Sequence, residues 1–166
     1  MIVKPLAINH LQALLQFELE NRAWFESLIE PRGDDFYTLD GVAAHIGEWV
    51  EKVHQGRAYS VLLFDEDVVV ARGNLKGISD GSAEVGYRVA QQQGSKGLAS
   101  LCLSHLISEA RNTFKLRELQ ARVLDNNPAS FRVLQKQGFE KFECLPESIN
   151  IQGQDWNCVG LRKFPL

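Results

Sequence analysis

"YRVAQQQGSKGLASLCLSHLI", residues 87–107, changes character twice. It opens as an apolar, strand-like stretch, passes through a polar turn holding Gly94 and Gly97, and continues as an amphipathic segment. The spacing predicts a helix over about 96–113, with Leu98, Leu101, Cys102, Leu106 and Ile107 on one stripe. A strand that feeds a helix through a glycine-containing turn presents unpaired backbone N–H groups and the positive end of the helix dipole. Such an end suits a phosphate or pyrophosphate. Gly94 and Gly97 let the backbone approach a ligand, and Lys96 adds a mobile positive charge. A ligand-free, glycine-tolerant turn accounts for the same residues. The two common nucleotide motifs do not fit: Gly97 is followed by Leu98 rather than the Lys-Ser/Thr of a P-loop, and a single Gly-x-x-Gly is not a dinucleotide fingerprint.

Working outward, the periodicity alternates between helix and strand. Residues 1–4 read as a short strand, and Leu11, Leu14, Leu15 and Phe17 as a helix with Asn9 at its N-cap. "EPRGDDFYT" reads as a loop. Thr38 then caps a helix whose apolar face is Val42, Ile46, Trp49, Val50 and Val53, ended by Gly56. "AYSVLLF" and "VVVARGNLKGI" form a hairpin across Asp65-Glu66-Asp67, and "AEVGYRVA" (83–90) is a third strand. "LRELQARVL" (116–124) is a strand, and Asn127-Pro128 starts a short helix carrying Phe131 and Leu134 and stopped by Gly138. "FEKFECLPESINI" and "DWNCVGLRKF" complete a hairpin around Gly153. The order implies a mixed α/β sheet with helices packed on it, one domain over 1–166.

Composition narrows the classes. With 45% hydrophobic and 23% charged residues, the 166-residue chain is ordinary globular material. A net charge of −3 argues against nucleic acid held by charge. No apolar run is long enough to span a membrane, and "MIVKPLAINH" lacks a signal-peptide core, so a cytoplasmic protein is expected. Cys102, Cys144 and Cys158 are odd in number and widely spaced, which predicts reduced, mostly buried thiols and no metal site.

The second signal is "DNNPASFRVLQKQGFEKF", residues 125–142. Capping alone explains Asn127, Ser130 and Gly138 taken singly. Together with the strand, glycine turn and helix upstream, and above all through "NNPASFRVLQKQGF", nearly the whole chain resembles the GNAT superfamily of N-acetyltransferases. "FELENRAWFESLIEPRGDDFYT" resembles its RimJ/RimL branch, which includes acetyltransferases of protein amino termini. The resemblance implies a mostly antiparallel sheet of about seven strands, splayed where acetyl-CoA binds. It implies a pyrophosphate on the backbone of Gly94, Ser95, Lys96, Gly97, Leu98 and Ala99, and a pantetheine arm paired like an added strand with Val89 and Ala90. Asn126 and Ser130 would stand beside it. The family pattern is [QR]-x-x-G-x-[GA]; Gly97 and Ala99 match, Gly94 replaces the Gln or Arg, and Ser95 replaces a usual glycine. Backbone donors do not depend on that lost side chain, so binding is expected to survive.

Acetyl transfer to an amine needs deprotonation of the ammonium, stabilisation of the thioester oxygen and protonation of the departing thiolate. The resemblance places Ser130 at the sulfur. Glu84, on the strand beside the cofactor, is the expected base acting through water, although it could equally face solvent or pair with Arg88. Phe25, Arg32, Phe36 and Tyr37 fall where the family shapes its acceptor site, and Tyr87 reads as core or pocket wall; Phe36 and Tyr37 could equally anchor a loop. His10, His45, His54 and His105 read as structural or exposed, away from the site. The expected function is an acetyl-CoA-dependent N-acetyltransferase acting on a protein or peptide amino terminus, as monomer or homodimer. The alternatives are a small amine (polyamine, amino acid or aminoglycoside) and a non-catalytic CoA-binding module.

Overall fold

The structure, a computed structural model, describes residues 1–142 and 147–166. Strand β1 (Ile2–Pro5) leads into helices α1 (Leu11–Glu20), α2 (Arg22–Glu26) and α3 (Leu39–His54). Strands β2 (Ala58–Asp65), β3 (Val68–Ser79) and β4 (Ser82–Val89) follow, then α4 (Leu98–Asn112), β5 (Glu118–Leu124) and α5 (Pro128–Lys136). The chain ends in β6 (Glu140–Lys141), β7 (Ser148–Ile151) and β8 (Gln154–Lys163). The sheet order is β1-β2-β3-β4-β5-β8-β6, with β7 also on β8. Neighbours are antiparallel except β4 and β5. Those two run parallel because α4 carries the chain back across the sheet between them.

Both faces of the sheet are covered, which explains the unbroken apolar run of β2. Val61 and Leu63 pack on one face with α4 residues Cys102, Leu103 and Leu106. Leu62 and Phe64 pack on the other with Leu14 and Phe17 of α1 and Val42 and Ile46 of α3. Each such fully buried side chain contributes roughly 1.5–3 kcal/mol. The approach of α4 to β3 requires a glycine: a Cβ on Gly73 would lie 2.5 Å from Cys102 Sγ and 3.0 Å from Leu106 Cδ1.

The expected caps form at two helices. Thr38 Oγ1 accepts from Gly41 N at 3.0 Å, and Asn127 Oδ1 accepts from Ser130 N at 3.0 Å. Three expectations change. Asn9 lies inside a 3-10 turn (Ile8–His10), so His10 holds the N-cap position of α1 without a side-chain bond. Leu101 and Val53 are exposed, and Leu103 and Ala110 complete the buried stripe of α4. The stretch read as one strand over 139–151 is two: β6 pairs with the far end of β8 and β7 with its start. That gives eight strands among the described residues, in line with the expected sheet of about seven. Cys144 lies outside the described residues. Cys102 is buried and Cys158 half-buried, and burial pushes the Cys102 thiol up to about 12.

Candidate active site

β4 and β5 pair at Ser82–Glu84 against Glu118–Gln120 and then part. A cleft of about 790 Å³ occupies the gap, lined from Glu84 to Val89 on one side and from Ala121 to Leu124 on the other. The opened edge of β4 has free backbone groups. Ala90 N–H donates to Val70 O, so by antiparallel alternation the N–H and C=O of Val89 and Tyr87 point away from β3, into the gap. Ala90 is less available: its N–H is committed to Val70, and its carbonyl already accepts from Gln93 N at 2.9 Å. A strand-like ligand would find both backbone groups of Val89 open, whereas the N–H of Ala90 is already taken.

The turn from 94 to 97 forms one end of the cleft. Gly97 takes φ +78 and caps α4, and the first helical bond is Leu101 N to Gly97 O. The N–H groups of Leu98, Ala99 and Ser100 precede it and carry the positive end of the dipole. Gly94, Ser95, Gly97, Leu98 and Ala99 all line the cleft. Lys96 does not; its Nζ donates to Gln93 Oε1 at 2.9 Å, bracing the turn from outside.

The cleft passes through the gap and takes side chains from both sheet faces. On the α5 face, Ser130 Oγ lies 3.0 Å from Tyr87 Oη. Burial pushes Tyr87 up to about 12, against the opposing effect of the Ser130 hydrogen bond, so the phenol keeps its proton at neutral pH. On the α1 face, Arg32, Arg88, Phe25 and Trp49 close the wall. Asn126 stays out of the cleft: its Nδ2 donates to Ser27 O at 3.1 Å, tying the end of β5 to the loop after α2.

A family model described as an acetyltransferase (GNAT) domain matches residues 1–140. The chain belongs to the GNAT acetyltransferase family. It is 28% identical over 156 residues to a probable N-acetyltransferase, YjcK, of Bacillus subtilis (strain 168), covering 91% of this chain and 86% of that one. It is 27% identical over 146 residues to the [ribosomal protein uS5]-alanine N-acetyltransferase of Escherichia coli (strain K12), covering 85% and 75%. Its fold superposes with a TM-score of 0.88, at 18% identity, on a RimL ribosomal L7/L12 alpha-N-protein acetyltransferase solved with coenzyme A, covering 98% and 93%.

Within this GNAT acetyltransferase, the expected site residues make the following contacts. Glu84 lines the cleft but does not meet Arg88. Its oxygens are held by Lys76 Nζ at 2.8 Å and Arg122 Nη2 at 3.1 Å, and Arg122 also holds Glu147 at 2.9 Å. Phe36 and Tyr37 do not line the cleft, because their faces are taken by Arg32, 4.0 Å from the Phe36 ring, and Arg22, 4.1 Å from the Tyr37 ring. Tyr37 Oη also donates to Glu26 Oε1 at 3.0 Å. They anchor the loop that presents Arg32.

Sequence reasoning missed Glu18, Arg72 and Arg88. Glu18 is wholly buried and meets Arg88 at 2.9 Å, Arg32 at 3.6 Å and Arg72 at 3.9 Å. Arg72 is 1% exposed. Burial pulls its guanidinium below the ordinary value, Arg88 and Arg32 add to this, and Glu18 opposes it. The signal was present: Glu18 shares the buried face of α1 with Leu14, and Arg72 interrupts "VVVARGNL". A charge on an apolar face demands a partner. His45 was also misplaced. Its Nε2 lies 2.7 Å from Arg72 Nη1, directly behind the cleft wall. Burial, then Arg72, Arg32, Arg88 and Lys52, push His45 down to about 3, so it is neutral and accepts a hydrogen bond from the guanidinium.

Proposed function

We propose that the protein moves the acetyl group of acetyl-CoA directly to a primary amine, with a protein or peptide amino terminus as acceptor. The observation that carries this reading is the continuous path from the first turn of α4, along the open edge of β4, to the Ser130–Tyr87 pair. That path offers what the cofactor needs: unpaired N–H groups for a pyrophosphate, free groups at Val89 for an amide-bearing arm, and a hydroxyl where the arm would end. Bound acetyl-CoA supplies the activated acyl group.

The chain's residues do the rest. The Leu98 and Ala99 N–H groups would hold the phosphates. Ser130 Oγ presents a proton at the end of the path, and Tyr87 Oη, 3.0 Å behind it, holds the next one. Phe25, Arg32 and Arg88 orient the acceptor from the other face. Glu84 takes the amine proton through water after one of its contacts, to Lys76 or Arg122, loosens. The sequence relationship to a uS5-alanine N-acetyltransferase supports an amino-terminal acceptor.

The test incubates the protein with acetyl-CoA and short peptides, following thiol release and locating the added acetyl group by mass spectrometry. The reading expects one acetyl group on the α-amine per thiol released. Acetyl-CoA binding without acetylation of any peptide would leave a small-amine enzyme or a CoA-binding module.

A further inference from the structure

Three guanidinium groups, Arg32, Arg72 and Arg88, converge on one carboxylate, Glu18. Among the described residues, the side chain of Glu18 hydrogen-bonds only with Arg88, at 2.9 and 3.3 Å, and its contacts to Arg32 and Arg72 are longer ion pairs. With His45 neutral, formal positive charge exceeds negative by two at the cleft wall. Among the described residues, the buried Nη1 of Arg32 and the buried Nε and Nη2 of Arg72 have no hydrogen-bond partner. Unbalanced buried cations are costly unless a counter-charge arrives. Arg32 and Arg88 line the cleft beside Trp49 and Phe25. This wall lies opposite the Ser130–Tyr87 face.

The other charged groups facing the cleft do not supply the missing anion. Glu84 and Glu147 are held by Lys76 and Arg122. Glu30 lines the cleft, but the ion pairs of Arg32 and Arg88 run to Glu18.

Resting on the acetyltransferase reading above, we propose that the acceptor carries a carboxylate close to the amine it presents, and that Arg32 and Arg88 hold that carboxylate. Guanidinium forks suit a carboxylate, which they can bind in bidentate geometry. The same wall repels a second ammonium and so disfavours polyamines. The carboxylate comes from an acidic side chain early in a peptide or from the α-carboxylate of a free amino acid.

The experiment uses isosteric pairs on the intact protein with saturating acetyl-CoA. Ser-Asp-Ala-amide is compared with Ser-Asn-Ala-amide, and alanine with alaninamide. The proposal expects kcat/KM at least tenfold higher for an acidic member, mainly through KM. The peptide pair responds if the source is a side chain, and the alanine pair if it is an α-carboxylate. Arg32→Gln and Arg88→Gln should each bring that ratio toward one. A second readout needs no turnover: calorimetric binding of the acetylated Ser-Asp-Ala-amide product should be at least tenfold tighter than that of its Asn counterpart. If acids and amides are acetylated equally and their products bind equally, the proposal is overturned while the acetyltransferase reading stands. If acetyl-CoA fails to bind and no acceptor turns over, the acetyltransferase reading falls and takes the proposal with it.

Discussion

Tyr87 Oη on β4 lies 3.0 Å from Ser130 Oγ on α5, across the gap left where β4 and β5 part. The pair joins two elements brought together by the parallel crossover, and it places a neutral phenol behind the serine hydroxyl. Ser130→Ala should leave acetyl-CoA affinity within about threefold and lower kcat at least tenfold, roughly 1.4 kcal/mol of transition-state stabilisation. Tyr87→Phe should cost less, and the double variant should cost no more than Ser130→Ala alone, because the two hydroxyls act in series. Steady-state kinetics with all three variants checks this. Additive losses would separate Tyr87 from the serine.

Ser95 adopts φ +63, a left-handed conformation that costs a non-glycine residue roughly 1 kcal/mol. Ser95→Gly should raise Tm by about 2–4 °C, the shift expected for about 1 kcal/mol in a domain of this size. Gly94 differs: its φ of −55 is open to any residue, and a Cβ would meet only Gln91 O, at 3.2 Å. Gly94→Gln should therefore fit after a small shift and tighten acetyl-CoA binding several-fold. Thermal melts and calorimetry on the two variants test each half independently.

Gly73 is where α4 comes closest to the sheet. Gly73→Ala drives a methyl into Cys102 Sγ and Leu106, both fully buried, and should destabilise by about 1–3 kcal/mol. Urea unfolding reads this directly. Gly73→Ala combined with Cys102→Ala should recover part of the loss, since the smaller side chain opens the space the methyl needs.

His45 gives the stability a pH dependence. Its value falls from 6.5 in the unfolded chain to about 3 in the folded protein. Between those values the unfolded state binds the extra proton, so stability is full above about pH 6.5 and is lost as pH falls toward 3. His45→Gln keeps an acceptor for Arg72 and removes this titration. The urea midpoint of the wild type should drop more between pH 7 and pH 5 than that of the variant. Equal drops would show that the imidazole does not titrate across folding.

Local signals carried most of the fold. The β2–β3 hairpin, the Thr38 and Asn127 caps and the strand-turn-helix at Gly97 are set by neighbours in sequence, and each stands where periodicity and capping place it. The parts that were not legible depend on distant pairings. Glu84 meets Lys76 directly across the hairpin and Arg122 across β5, and no local pattern selects these over Arg88. Glu18 and Arg88 lie 70 positions apart, so their meeting follows from the way α1 covers the sheet. Ala90 was assigned to ligand pairing because alternation alone does not reveal that its N–H is committed to Val70.

The most direct test of the account is calorimetric titration of the purified protein with acetyl-CoA. Binding in the micromolar range, weakened when Gly97→Pro reshapes the first turn of α4, is the predicted result. An absence of heat at millimolar acetyl-CoA, with the protein folded, would contradict the central claim that this turn and the open edge of β4 form a cofactor site.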